Sequence, residues 1–568
     1  ASLNALLTVY DLDPGDRIFV DRGTYALPTN VRITAQDSGV QILGPTNGGA
    51  ALLDRGSAAT AQYALELIAA KDVTIRNLSL TGGERGLSAV DADRLVVADS
   101  KAFNNASIGF FVESDTSDAR LSGNEAFGTT GNATTDQDTG FFLRGTRLTV
   151  EGNTSYKVGT QFGEGIHVDT SDQLVVHGNL AYGNTTGINV STSQGDIADN
   201  EARNNGLGIF VNDDNASFRT KVHGNTVHDN TSQGLQIQSN VEAFVNIAMR
   251  NAGPGILLNG SAGNTTAHDN TAFLNVTGIQ AQAGQVRNNR VFGNTGAGIL
   301  LNSGPVPVDG NAVYGNSVGI EISGFISGYV ITNNLVYANA NQGIYVHNAG
   351  TSGSTGVQLI NNTVHHDVGS AIRIENNGPN VRLFNNIIVI NGGLGIEVIG
   401  NATGFDSNFN DIFPAKPGAS VGKFLAAATS ATLAAWRTAS GKDASSLSVD
   451  PLFIDLNGAD NLLGWTQPDP QAQFADFGRD DNFHLKRGSA AIDAADSEVA
   501  PALDADGLAR TDDLGTLNTG NGVFRFYDIG AFEFQGSSAD ITPPRVVALS
   551  PIGMVDDVLS NARFSTLT

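Results

Sequence analysis

One unit recurs along most of this chain: an Asn, a short apolar stretch, a second Asn or turn, then Gly-Ile-x-Val. It reads GNLAYGNTTGINV at 178–190, DNEARNNGLGIFV at 199–211, GNTVHDNTSQGLQI at 224–237, DNTAFLNVTGIQA at 269–281 and GNAVYGNSVGIEI at 310–322. The leading Asn runs from Asn124 to Asn408 at about 24 residues per step, and Asn77 and Ser100 extend the series backwards. A period of that length means stacked units, none of which can bury its apolar face alone.

The unit is too short in its strands and too rich in turns for helices. It predicts an all-β right-handed parallel β-helix, a solenoid of about 15 coils, with neighbouring coils about 4.8 Å apart. An Asn at the same turn of every coil hydrogen-bonds its neighbour along the axis, as in a cross-β ladder, and tolerates a left-handed turn. The Gly before each Ile serves the same backbone need. Ile and Val of the motif point inward, and the residues between and after them point out.

A solenoid also accommodates 568 residues, too many for one compact core. The absence of Cys excludes disulfides, thiolate metal sites and a Cys nucleophile. The formal charge of −25 argues against nucleic acid or an anionic membrane as partner. It also repels a polyanionic glycan unless Ca²⁺ or a local cationic patch intervenes. No run approaches 18 apolar residues, so no membrane span is expected. The start at Ala1 reads as a segment of a larger secreted protein.

The chain divides into an N-terminal cap with the first coils (1–60), regular coils (61–412), a C-terminal cap region (413–537) and a linker opening a truncated module (538–568). Residues 428–439 suggest the only clear helix, and 450–455, 483–493 and 528–534 read as cap strands. The coils resemble the NosD-type right-handed parallel β-helix repeat, also found in carbohydrate-binding and sugar-hydrolase-like proteins. GDRIFVDRGTY (15–25) is similar to the opening of many of them. TLAAWRTASGKDASSLSVDPLFID, HLKRGSAAID and DIGAFEF resemble the C-terminal region of β-helix proteins that bacteria export, and TPPRVVALSP looks like the start of an immunoglobulin-like module. The resemblance implies an extracellular or cell-surface monomer that meets polysaccharide. It does not choose an activity, since the fold hosts lyases, epimerases, hydrolases and non-catalytic modules. The Asp-Pro-His signature of mannuronan C-5 epimerases does not occur.

Aligning the Gly-Ile-x-Val segments gives two outward columns. The first runs Phe111, Phe142, His167, Asn189, Phe210, Gln236, Leu257; the second runs Glu113, Arg144, Asp169, Ser191, Asn212, Gln238, Asn259. A polar strip with aromatic platforms suits an extended sugar chain, with rings stacking on pyranoses and amides bonding hydroxyls. Longer turns at 134–138 and 158–164 would wall one side. The densest reactive group is Arg144, Tyr156, Lys157, Glu164, His167 and Asp169. Uronan β-elimination needs a cation for the carboxylate (Arg144 or Lys157), a base for the C5 proton (His167) and an acid for the leaving oxygen (Tyr156), with Asp169 available to orient His167. The bland alternative is a salt-bridge ladder of Glu113, Arg144 and Asp169 on a solvated sheet.

A second cluster, Tyr345, His347, Arg373 and Glu375, lies on the same face. Glycoside hydrolysis would instead need two carboxylates about 5–9 Å apart, supplied by Glu164 with Asp169, or by Asp136 and Asp138 with Asp169. Asp504, Asp506 and Asp512 resemble a Ca²⁺ loop, without the twelfth-position Glu of an EF-hand. His365 and His366 read as exposed turn residues, and the recurrence of His177, His223 and His268 reads as periodicity. Three functions follow: a polysaccharide lyase or epimerase on uronate-containing glycan, a glycoside hydrolase, or a non-catalytic adhesion or stalk module.

Overall fold

The computed structural model describes residues 3–129, 137–157, 163–213, 215, 217–260, 264–324, 328–347, 356–375, 380–465 and 476–536. Among the described residues the chain winds through three parallel sheets of seventeen strands each. One coil contributes Val96–Ala98 to the first sheet, Lys101–Phe103 to the second and Ile108–Val112 to the third. The next coil pairs with it in register, Val97 with Leu121, Ala102 with Ala126 and Phe110 with Phe141. Inward residues such as Ile166 and Val168 are fully buried, and Phe110 and Phe141 stack inside the tube at 4.9 Å.

The turn from first to second sheet carries the expected Asn ladder. Asn124 donates from Nδ2 to Asn153 Oδ1 at 3.0 Å, and its backbone N–H donates to the same oxygen at 2.9 Å. The pattern repeats, coil after coil, to Asn386 and Asn410. Three sequence expectations need correction here. The last rung is Asn410, not Asn408, and Asn77 lies one residue before the ladder position, where Leu78 N–H donates to Ser100. The left-handed residue is not the ladder Asn but its predecessor, as at Asp199, Asn288 and Asn333 (φ 54°, 53° and 54°). Gly165 is needed for close approach rather than positive φ, because a Cβ there would meet the Gly187 carbonyl oxygen at 2.5 Å. A second buried ladder, running through Asn184, Asn205 and Asn230 to Asn339, occupies the turn from second to third sheet.

The ends depart further from expectation. A helix at Leu3–Val9, which the repeat pattern gave no reason to expect, covers the first coil with Leu3 buried. The helix expected at 428–439 forms at Leu433–Ser440, capped by Thr432 and anchored by buried Trp436. Strands Phe453–Asp455 and Asn482–Leu485 pair antiparallel, whereas 528–534 forms no strand.

The C-terminal region is also more than an end cap. It runs back along the second sheet, where Asp476 takes Arg290 at 2.7 Å and the Tyr314 hydroxyl at 2.5 Å. Phe483 packs on Tyr337 at 4.8 Å, and Asn361 donates to the Asp528 carbonyl at 3.0 Å. The insertions at 130–136, 158–162 and 348–355, and the module beginning after 537, lie outside the described residues. Among the described residues no helix is long and apolar enough to cross a membrane.

Candidate functional site

The outward columns of the third sheet form in the predicted order. Phe111 pairs with Phe142, Phe142 with His167, His167 with Asn189, Asn189 with Phe210, Phe210 with Gln236 and Gln236 with Leu257. Beside them Arg144 pairs with Asp169, Asp169 with Ser191, Ser191 with Asn212 and Asn212 with Gln238.

Phe111, Phe142 and His167 turn their ring faces to one another, whereas Phe210 stands between Asn189 and Gln236. Rings one rung apart stack on one another, so a ring with ring neighbours has its faces taken by them. Phe111 stacks on Phe142 at 5.8 Å, carries the Arg85 guanidinium on its ring at 3.6 Å and is only 5 % exposed. Phe142 in turn meets His167 at 4.6 Å. These columns present ring edges, and what they offer a ligand is the polar side chains between them.

His167 is held by a carboxylate, but not by the one expected. Its Nδ1 contacts Glu164 Oε2, while Glu164 Oε1 accepts from Asn189 Nδ2 at 2.6 Å. Asp169, two residues on, turns to Arg144 instead, at 2.9–3.0 Å. The reason is a corner: Gly165 and Ile166 are both buried, so alternation breaks and Glu164 emerges on the same face as His167. Burial pushes the Glu164 carboxyl up, but His167 and Asn189 outweigh it and hold the group below the usual range. No partner to His167 Nε2 is found among the described residues. Asn189, expected to bond sugar hydroxyls, gives its amide to Glu164, and its Oδ1 is buried without a partner among the described residues.

Arg144 lies between Asp169 and Glu113, 3.8 Å from the latter, with its guanidinium over Phe142 at 4.8 Å. Glu113, Arg144, Glu164, His167, Asp169 and Asn189 therefore form one patch. Tyr156 and Lys157 stand apart. Tyr156 closes a strand of the second sheet, donates to Glu125 at 2.9 Å and stacks between Phe127 and Tyr182 at 5.1 and 4.8 Å. Burial and the Glu125 carboxylate push its hydroxyl well above the ordinary tyrosine range. Lys157 occupies the left-handed turn position (φ 54°). Asp138 is exposed at the mouth of the preceding coil with its carboxyl raised by burial, and Asp136 lies outside the described residues.

Further along the sheet, the Tyr345 hydroxyl donates to Glu375 at 2.7 Å, the Tyr345 and His347 rings stack at 4.3 Å, and His347 meets Glu321 at 2.9 Å. Arg373 bridges Glu375 and Glu397 at 3.0 and 3.4 Å. Sequence alignment found the cluster but not Glu321 and Glu397, which stand in the same outward column as Tyr345 and Arg373.

His365 and His366 are not exposed turn residues. They are buried in the strand Thr363–His366, and burial holds both imidazoles below their ordinary range. His177 and His223 share the Asp196 carboxylate at 3.2 and 2.9 Å. In the C-terminal loop, Asp504 gives both oxygens to backbone amides, Asp506 takes His484 at 2.7 Å and Asp512 is exposed. Among the described residues these three do not converge on a metal-sized point.

Two family models match the chain: periplasmic copper-binding protein (NosD) over residues 130–265, and right handed beta helix region over residues 281–412. No curated protein gives a sequence match. Among solved structures the chain is similar to an alginate lyase from Paenibacillus sp., with 14 % identity, TM-score 0.30, and 54 % of this chain and 95 % of that one covered. It is similar to a pectate lyase, with 15 % identity, TM-score 0.27, and 93 % and 90 % covered. It is also similar to the tailspike protein of an E. coli bacteriophage in complex with a pentasaccharide, with 9 % identity, TM-score 0.31, and 74 % of each chain covered.

Proposed function

We propose that this protein acts on a carbohydrate laid along the third sheet, and that its chemistry is abstraction of a proton from a uronate-containing glycan, as a polysaccharide lyase or epimerase. One observation carries the reading: Asn189, Glu164 and His167 form a relay that ends on an imidazole nitrogen with no partner among the described residues. A carboxylate held ionised at Nδ1 fixes the proton there and leaves Nε2 as the basic nitrogen. Arg144 supplies the cation that lowers the cost of a carbanion beside a carboxylate. A uronate carboxylate would take the place of the longer contact to Glu113. Such glycans are met outside the cytoplasm, which is where the reading places the protein.

Glycoside hydrolysis ranks lower because it needs a carboxyl kept protonated. Glu164 is held down and Asp169 is paired with Arg144, which leaves only Asp138, raised but exposed. A non-catalytic module is the second reading, favoured by the Glu113–Arg144–Asp169 ladder, which needs no substrate to explain it. The test is a panel of pectic, alginate and glycosaminoglycan uronans. Ultraviolet absorbance of the unsaturated end reports elimination, and deuterium uptake at C5 from D₂O reports epimerisation. His167→Ala should abolish either signal, and Glu164→Gln should lower it about 100-fold or more. Silence across the panel, or an unchanged rate in His167→Ala, refutes the reading.

A further inference from the structure

The outward column that contains His167 does not begin at Phe111. It runs back through Ser88 and Glu66 to Arg32, each in register with the next. Five rungs separate Arg32 from His167, about 24 Å along the axis. There the strip opens into a cavity of about 1000 Å³ between the N-terminal helix and the first coil, with Tyr10, Asp11, Asn30, Arg32, Arg55 and Gln62 in its lining.

Arg32 is fixed at Nε and keeps its terminal edge free, while Arg55 is fixed at two nitrogens. Arg32 Nε donates to Glu66 at 2.8 Å, and its two terminal nitrogens have no partner among the described residues. Buried Arg55 donates from Nε to Asn30 at 3.1 Å and from Nη1 to the Leu27 carbonyl at 3.2 Å, and no partner to Nη2 is found among the described residues. Asn30 is itself tied to Glu66 at 3.0 Å. Of the lining carboxylates, Asp37 is occupied by Thr34 at 2.8 and 3.0 Å, and Asp11 stands exposed. A guanidinium held by one edge presents the other as a fork that matches a carboxylate, and the amides and Tyr10 around it match sugar hydroxyls and ring faces.

We propose that this cavity binds the carboxylate-bearing end of an acidic glycan whose body lies on the third sheet. The inference rests on the carbohydrate reading of that sheet but not on His167 being catalytic. Its test is therefore made on the full chain carrying His167→Ala, titrated calorimetrically with oligogalacturonates and with cello-oligosaccharides of equal length. Adding Arg32→Gln should weaken the oligogalacturonate roughly tenfold or more and leave the neutral sugar unchanged; Arg32→Lys, a charge without the fork, should fall between. The melting temperature should not move, since Arg32 is 61 % exposed at its side chain. Equal affinity in Arg32→Gln, equal affinity for both sugars, or no binding of either overturns the inference. Binding of this kind in the His167→Ala chain, with neither unsaturated product nor C5 deuterium uptake from the chain that keeps His167, refutes the proton-abstraction reading and leaves this one standing.

Discussion

The second sheet has two halves built from one column of rings and treated in opposite ways. In the early coils Phe103, Phe127, Tyr156 and Tyr182 stack at 4.8–5.1 Å and turn their edges to solvent. In the later coils Phe273, Phe292, Tyr314 and Tyr337 continue the column at the same spacing, but Phe453 and Phe483 of the C-terminal region bury it. The carboxylates follow the same division. On the bare half, His228 and Arg203 hold Glu201 down against its burial. Along the covered half, burial pushes Asp411 up to about 7 and Asp481 and Asp493 to about 6, and it drives Asp528 and Glu533 up together. A solenoid face that stays open keeps its acids paired and charged. One that is covered has to bury acids with too few partners.

The largest effect should come from breaking the seam at its buried ion pair. Arg510 donates to Glu533 at 2.8 Å with both side chains fully buried, so Arg510→Ala leaves a buried acid alone. A loss of about 3–5 kcal/mol in denaturant unfolding is expected, with hydrogen exchange accelerated over 476–534 and unchanged near His167. Phe483→Ala should cost about 3 kcal/mol by leaving a cavity against Tyr337, read from the same curves.

The two halves should also answer pH in opposite senses. An acid whose folded pKa is raised takes up protons on folding. The raised acids of the covered half therefore stabilise it near pH 4 and lose that contribution as pH climbs through 6 to 7, opposed by buried His365 and His366, whose lowered imidazoles stabilise it as pH rises. In the bare half Glu201 is lowered, so its contribution is present above about pH 4 and fades as pH falls below that. Asp411→Asn should lessen any loss of hydrogen-exchange protection over the C-terminal region between pH 5 and pH 8. The smallest effect is expected at Phe127→Ala in the bare stack, about 1 kcal/mol, because only ring contacts and partial burial are lost there. Equal costs at Phe127 and Phe483 would erase the distinction.

What the sequence disclosed was whatever repeats. Asn124 to Asn386, the inward Ile and Val, and the pairing of Phe142 with His167 all follow from one period, and a period survives small errors in turn geometry. The partner of His167 did not repeat. Glu164 faces it only because two consecutive residues, Gly165 and Ile166, turn inward at a corner, and simple alternation points to Asp169 instead. The covering of the second sheet was hidden for a related reason. Contacts such as Arg290 with Asp476 join residues 186 apart, with no recurring neighbour to announce them. Tyr156 was misplaced because nearness in sequence across a sheet boundary was read as nearness in space.

The Asn ladder has one more property. Each side-chain amide in it donates one hydrogen to a backbone carbonyl of the coil before and the other to the Asn of the coil after, so the Asn-to-Asn links all run in one sense along the axis. The row ends at Asn410, whose amide donates back to the Leu383 carbonyl and has no next Asn for its forward hydrogen. At that terminus stands Asp443, buried, accepting from Asn410 Nδ2, from the Ser407 and Ser446 hydroxyls and from the Trp436 indole. An anion is seated where the last forward hydrogen emerges, much as a charged side chain complements the end of a helix, and adding or removing a whole coil would leave that match intact.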